Sequence, residues 1–316
     1  MTKIDFVGHK RIYFTISITL IIISVAVTAI FGLKVAIEFK GGTLINYSYD
    51  GNIDLDKVNS KVEDIIKSKA QITEGKDFST NKNTIQVSLV SDSGLTADKQ
   101  FELTNQLKSE FAENNIVLLN SSDVNPSTGR DFFNKCLVAV LFASILLIIY
   151  IAWRFKRISG WSAGVMAIVS LFHDIFMVYG TFVIFRIPID ANFMAVVLTI
   201  LGYSINDTIV IYDRIRENQR ILGKKVTRTE LVNTSINQSL SRSINTSLCT
   251  ISSMIIVSVV AVLFHVNSIL SFSFPLIIGM ITGVYSTICI AGPLWVWWED
   301  RKEKKRQSKT AYPVNE

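Results

Sequence analysis

Three residue types that commonly carry chemistry or interrupt helices are scarce in this chain: 316 residues include only 3 Cys, 3 His and 5 Pro. Cys136, Cys249 and Cys289 are scattered, odd in number and each inside an apolar run. That excludes a disulfide-stapled scaffold, and no pair has metal-ligand spacing. So few prolines leave room for long uninterrupted helices. Charge is scarce as well, with Asp, Glu, Lys and Arg at 18% against 49% hydrophobic residues and a mean hydropathy of +0.37. Intrinsic disorder, which needs low hydrophobicity and high net charge, is excluded. The chain is also too apolar for the two ordinary domains its length suggests. A Walker A loop, an HExxH motif and a nucleophile elbow are all missing. The expectation is a non-enzymatic protein with no cofactor and no metal, which draws any work from an ion gradient or a partner.

What is present is a set of long apolar runs. The first, Ile12 to Phe31, follows Lys3, Lys10 and Arg11 and meets the ~20 residues needed to cross ~30 Å of hydrocarbon. A cleavable signal peptide competes for it, since Val27-Thr28-Ala29 resembles a cleavage site, but the run exceeds the usual ~7–15-residue signal core and more spans follow. An uncleaved helix is preferred. Five further runs at 132–152, 160–185, 190–212, 243–264 and 268–298 make six spans.

Residues 33–131 differ in kind. Thr43–Tyr49 alternates like a strand, Leu55–Lys69 spaces Leu55, Val58, Val62, Ile65 and Ile66 like a helix, and Thr84–Val90 alternates again. Ala97–Phe111 is helical, Asn115–Val124 is a last strand, and a weak strand falls near Asp77–Thr80. The order β-α-β-β-α-β predicts a small ferredoxin-like α+β domain inserted between spans one and two. Asn125-Pro126-Ser127-Thr128-Gly129 reads as a linker. The expected plan is therefore an N-terminus and first span (1–32), an extracytoplasmic domain (33–131), a bundle of spans two to six (132–298) with a cytoplasmic loop at 213–241, and a basic tail (299–316).

The net charge of +6 follows this plan. Arg154, Lys156 and Arg157 lie between spans two and three; Arg214, Arg216, Arg220, Lys224, Lys225 and Arg228 between four and five; Arg301, Lys302, Lys304, Lys305, Arg306 and Lys309 in the tail. The opposite short loops hold only Arg186 and His265. By the positive-inside rule both termini are cytoplasmic, and the five Trp residues (153, 161, 295, 297, 298) form an interfacial belt at the cytoplasmic ends. The partner implied by the charge is the bilayer, not nucleic acid. The 213–241 segment, basic and amphipathic, is expected at the membrane surface.

The informative charges are those inside spans, each costing roughly 2.5–3.5 kcal/mol at the bilayer centre. Asp174, beside His173, lies in span three, Asp207 in span four and Arg242 at the start of span five. Asp207 is six residues from the interfacial Asp213-Arg214, hence ~9 Å deep at 1.5 Å per residue, and Arg242 lies at a similar depth. That juxtaposition predicts a switchable ion pair, a device for gating proton binding. Asp174, thirteen residues beyond Trp161 and ~20 Å deep, is expected in a different layer. The plainer reading makes Asp207 a structural group capped by Asn206 and Ser204, Arg242 a snorkelling side chain and His173 a packing residue. Gly279-Met280-Ile281-Thr282-Gly283, and Gly160 with Gly164, predict close helix contacts. The hydroxyls of span five (Ser243, Thr246, Ser247, Thr250, Ser252, Ser253) suit interhelical hydrogen bonds or a wet cavity.

Several motifs together carry a resemblance. Glu38-Phe39-Lys40-Gly41-Gly42-Thr43 follows span one, Phe172-His173-Asp174 lies in span three, and Gly202-Tyr203-Ser204-Ile205-Asn206-Asp207-Thr208 leads into Asp213-Arg214-Ile215-Arg216-Glu217-Asn218. With Leu240-Ser241-Arg242-Ser243 these are similar to the SecF subunits of the bacterial SecDF export complex, relatives of the RND transporters. The resemblance covers essentially the whole chain. It implies an RND-type half-bundle that pairs with SecD, assists the SecYEG channel and SecA, and uses a proton or sodium gradient to promote export of unfolded preproteins across the cytoplasmic membrane. The family's essential acid falls on Asp207 and its intramembrane Arg on Arg242. Glu38 and Lys40 depart from the family's usual Asp and Thr. A small-molecule or lipid exporter and a purely structural SecD-holding subunit are the competing readings.

Overall fold

A computed structural model describes residues 4–77, 82–90, 95–264 and 266–311. His265 and the 78–80 part of the weakly expected strand lie outside the described residues. Among the described residues, six helices are long and apolar enough to cross a membrane. The elements in order are α1 (Lys10–Phe31), α2 (Ile37–Lys40), β1 (Gly42–Tyr49), α3 (Leu55–Ile66), β2 (Ala70–Asp77), β3 (Lys82–Val90), α4 (Ala97–Glu110) and β4 (Val117–Val124). The bundle continues with α5 (Pro126–Arg154), α6 (Gly160–Ile184), α7 (Ala191–Leu222), α8 (Arg228–Leu263), α9 (Asn267–Ser286) and α10 (Gly292–Ala311).

The sheet domain follows from strict alternation. Ile45, Tyr47 and Tyr49 on β1 and Ile85, Val87 and Leu89 on β3 point to one face. There they meet Val58 and Val62 of α3 and Leu103 and Leu107 of α4. All pairings are antiparallel, in sheet order β2-β3-β1-β4. The Asp54 side chain accepts from the amides of Asp56 and Lys57 and so starts α3. The expected linker at 125–129 is instead the first turn of α5. Asn125 Oδ1 accepts the Ser127 amide at 3.0 Å, and Pro126, whose missing N–H costs nothing at a helix start, follows it.

In the bundle, α6, α7 and α9 pack on one another, with α1 and α5 outside α6 and α8 outside α7 and α9. The expected close contacts are present. A methyl group on Gly279 would stand 2.8 Å from Ile200 and from Val178, and one on Gly164 3.2 Å from the Ile148 carbonyl. Gly279→Ala is expected to destabilise the folded protein by ~1–3 kcal/mol through overpacking, read as a lower melting temperature in detergent. A π-helical turn at Thr287–Ala291 joins α9 to α10. Pro293 follows it; lacking an N–H and crowding the carbonyl four residues back, a proline favours such a widened turn.

Two expectations need correcting at the end of the bundle that holds both termini. Segment 213–241 is no surface loop: α7 and α8 simply continue through it, leaving a connection of only 223–227. The Asp213 carboxylate ties this hairpin to α5 through Arg154 at 3.1 Å and pairs Arg216 at 2.7 Å. Arg214 bonds Glu217 and Gln238, and Asn218 bonds Ser235 and Gln238. Trp295 is buried rather than interfacial, donating from Nε1 to Ser162 Oγ at 3.2 Å, while Trp153 and Trp161 are exposed. Asp5 fastens the segment before α1 to α8 here, accepting from the Gly8 amide and Asn233; chiefly through that amide bond its carboxyl is held below the usual range.

Candidate functional site

Asp174 is fully buried where α6, α7 and α9 meet. Its Oδ2 accepts from Ser204 Oγ of α7 at 2.7 Å and from Ser286 Oγ of α9 at 2.8 Å, and His173 Nδ1 lies 3.0 Å from Oδ1. The closeness depends on Gly283: a methyl there would stand 3.3 Å from Ser204 Cβ and 3.8 Å from Asp174 Oδ2. Polar contacts extend on both sides. Thr208 Oγ1 and Thr287 Oγ1 are 3.1 Å apart, and the His173 ring lies 5.9 Å from that of Tyr285, whose hydroxyl donates to the Tyr13 carbonyl of α1 at 2.8 Å. His173 Nε2 is buried without a hydrogen bond.

Asp207 is on the same helix as Ser204, one turn further along and hence ~4.5 Å down the axis. The two acids therefore belong to adjacent turns of one polar seam, not to separate layers. Asp207 is 6% exposed and faces Ser243 and Ser247 of α8, which are four residues apart and buried. Neither hydroxyl, nor Asp207 Oδ2, is engaged in a hydrogen bond of normal geometry. The capping expected from Ser204 is absent, because that hydroxyl is committed to Asp174.

Arg242 does not pair with Asp207. It is exposed on α8 and makes no ion pair among the described residues. The depth estimate placed it at the right level, but one residue is ~100° of helix rotation, and Ser243 takes the inward direction. Arg242→Gln should accordingly change stability by no more than ~0.5 kcal/mol in a detergent melt, as for a surface substitution. A loss of ~3–5 kcal/mol would reveal a buried pair after all.

The other motif residues separate into inward and outward sets. Gly202 and Asn206 are exposed on α7, continuing a stripe of Ala195 and Thr199, while Tyr203 is half-buried with an unbonded hydroxyl. At the far end of α7, Asp190 caps the helix through the Phe193 amide, and Glu38 Oε2 accepts the Ala191 amide at 2.8 Å. Gly41 and Gly42 have φ of +85° and +142°, angles that disfavour any side chain, which accounts for the paired glycines. Sequence reasoning missed Ser286 altogether. It lies in an apolar run 112 positions from its partner, and only the proximity of the glycine pair at 279 and 283 hinted at a buried face there.

Comparison with known proteins agrees with these motifs. A profile described as "Protein export membrane protein SecD/SecF, C-terminal" matches residues 104–301. A protein translocase subunit SecF of Anaerolinea thermophila is 33% identical, with 99% of each chain covered. A protein translocase subunit SecDF of Bacillus subtilis is 32% identical over 96% of this chain but only 39% of its own length. A crystal structure of SecDF, a translocon-associated membrane protein from Thermus thermophilus, superimposes with a TM-score of 0.78 at 29% identity, covering 94% of this chain and 39% of that one.

Proposed function

Since the chain belongs to the SecD/SecF family of protein-export membrane proteins and is a SecF subunit, a multi-pass membrane protein with a role in protein translocation, we propose that it couples an ion gradient to protein export through Asp207. One observation carries the reading. A carboxylate that is 6% exposed, in a helix suited to spanning a bilayer, has an unbonded oxygen and no cationic partner among the described residues. A group so costly to insert is retained for what it binds, here a proton or sodium ion. Asp174 is the neighbouring fixed acid. Arg242 reaches Asp207 only after a rearrangement of α8, or meets its countercharge on the partner subunit.

The remaining parts fit the same reading. SecDF relatives carry both halves in one chain, of which this one corresponds to about 39–40%. A separate SecD subunit would therefore complete the ion path. The exposed stripe Ala195-Thr199-Gly202-Asn206, too polar and too small for lipid, is the face offered to it. The sheet domain is ferredoxin-like and extracytoplasmic, the termini are cytoplasmic, the bundle is an RND-type half, and SecYEG, SecA and unfolded preproteins are the working partners. The chain itself performs no catalysis. The test is co-reconstitution with a SecD subunit in vesicles, recording ion uptake and preprotein export under an imposed gradient. Both should rise together; export that ignores collapse of the gradient would leave only a structural role.

A further inference from the structure

Ion coupling in the bundle gives no role to Glu38-Phe39-Lys40-Gly41-Gly42, yet this segment is built with unusual care. It forms the single helical turn α2 between the bundle and the sheet domain, packing on α5 and on β1 and β3. On the bundle side, the Ala36 amide donates to the Ile189 carbonyl and the Ile189 amide to the Lys34 carbonyl, both at 2.9 Å. The Glu38 carboxylate takes the first amide of α7 at 2.8 Å. Phe39, 7% exposed, lies against Phe132 and Phe133 of α5 with ring centroids 5.6 and 5.4 Å away. Gly129 leaves no slack: a methyl there would stand 2.9 Å from the Glu38 carbonyl oxygen. On the other side, Gly42 begins β1, the strand paired with both β3 and β4. A loose linker would absorb any displacement; this one is fastened at every turn.

We propose that Glu38 is a positioning residue whose bond to the Ala191 amide fastens α2 to the start of α7, so that movement of the helix bearing Asp207 is delivered to β1 and the sheet domain. The inference rests on the coupling role of Asp207. Ala191 is sixteen residues from Asp207 on one continuous helix, ~24 Å apart, so a shift or tilt at the carboxylate reaches α2 with little loss. Gly41 and Gly42 then set the direction in which the strand leaves.

The test uses the complex with its SecD subunit in vesicles and measures ion uptake and preprotein export separately. Glu38→Ala should leave assembly and ion uptake within about twofold and reduce export about tenfold, because a bond to a charged acceptor is lost. Glu38→Gln, which keeps an acceptor of the same reach, should retain most export. Gly129→Ala, pressing on the α2 backbone at Glu38 and Phe39, should reproduce the Glu38→Ala phenotype. Proportional loss of uptake and export in Glu38→Ala, unchanged export, or a Glu38→Gln as defective as Glu38→Ala would each overturn the tie. Asp207→Asn is run alongside. If it keeps export gradient-dependent, the coupling reading fails and the tie with it; if it abolishes gradient dependence, any failure belongs to the tie alone.

Discussion

Asp207→Asn, assembled with its SecD subunit, should export preprotein at a rate indifferent to the ion gradient. The substitution preserves size and hydrogen-bonding shape but removes the titratable and ion-binding carboxylate, which faces the hydroxyls of Ser243 and Ser247. A unit charge moving through 100 mV carries ~2.3 kcal/mol, equivalent to ~50-fold in an equilibrium. Gradient-stimulated export should therefore fall by well over tenfold, while the gradient-free rate stays where it was. Measuring both rates in the same vesicles separates lost coupling from lost assembly, since misassembly lowers the two together. If the variant keeps its response to the gradient, Asp207 is structural and the unbonded oxygen has no functional meaning.

The site was partly legible beforehand, and the reason lies in what helical geometry exposes to a reader of sequence. Length in a membrane is one-dimensional: six runs of ~20 apolar residues must be six spans, and residues counted from an interface give depth. Counting along the chain set Asp207 level with the start of the fifth apolar run, and Ser243 and Ser247 there do face it. Azimuth is not given by depth. It takes the i, i+4 pair Ser243/Ser247 to show which face of α8 looks inward, and that pair sets Arg242 about 100° away. The same limit hid the Asp174 seam. Depth counted along different helices put Asp174 and Asp207 in different layers, whereas the Ser204 hydroxyl crosses from α7 to bond Asp174 on α6, and Asp207 follows Ser204 by one helical turn. Segment 213–241 failed for another reason. Its polarity reads as loop, but helix α7 persists because Asp213 pairs with Arg154 of α5 and Asn218 with Ser235 of α8, bonds that only the folded bundle brings together. The sheet domain was readable where alternation with period two records the buried face, as on β1 and β3, but β2 lies at Ala70–Asp77, upstream of the weak strand expected near Asp77–Thr80.

Ser204→Ala should destabilise the protein by ~1–3 kcal/mol, and the same change in an Asp174→Ala background should cost almost nothing. The Ser204 hydroxyl donates to Asp174 Oδ2 at 2.7 Å within a fully buried site, so its deletion leaves a carboxyl oxygen short of one donor. With Asp174 gone the hydroxyl itself is the stranded group, and removing it brings relief rather than cost. The coupling energy from detergent melts of the four proteins should thus be ~1–3 kcal/mol, and a value near zero would show that the seam is not a bonded unit. Ser286→Ala should couple more weakly, because that hydroxyl is shared with the Gly283 carbonyl at 3.1 Å. The contrast with Asp207 then assigns the two acids different work. Every oxygen of Asp174 is engaged by α6, α7 or α9, which makes it the anchor on which three helices converge. Asp207, one turn away, keeps an oxygen free. An ion can be captured and released only where the protein has left a coordination position open, so gradient dependence should follow Asp207 and melting temperature should follow Asp174.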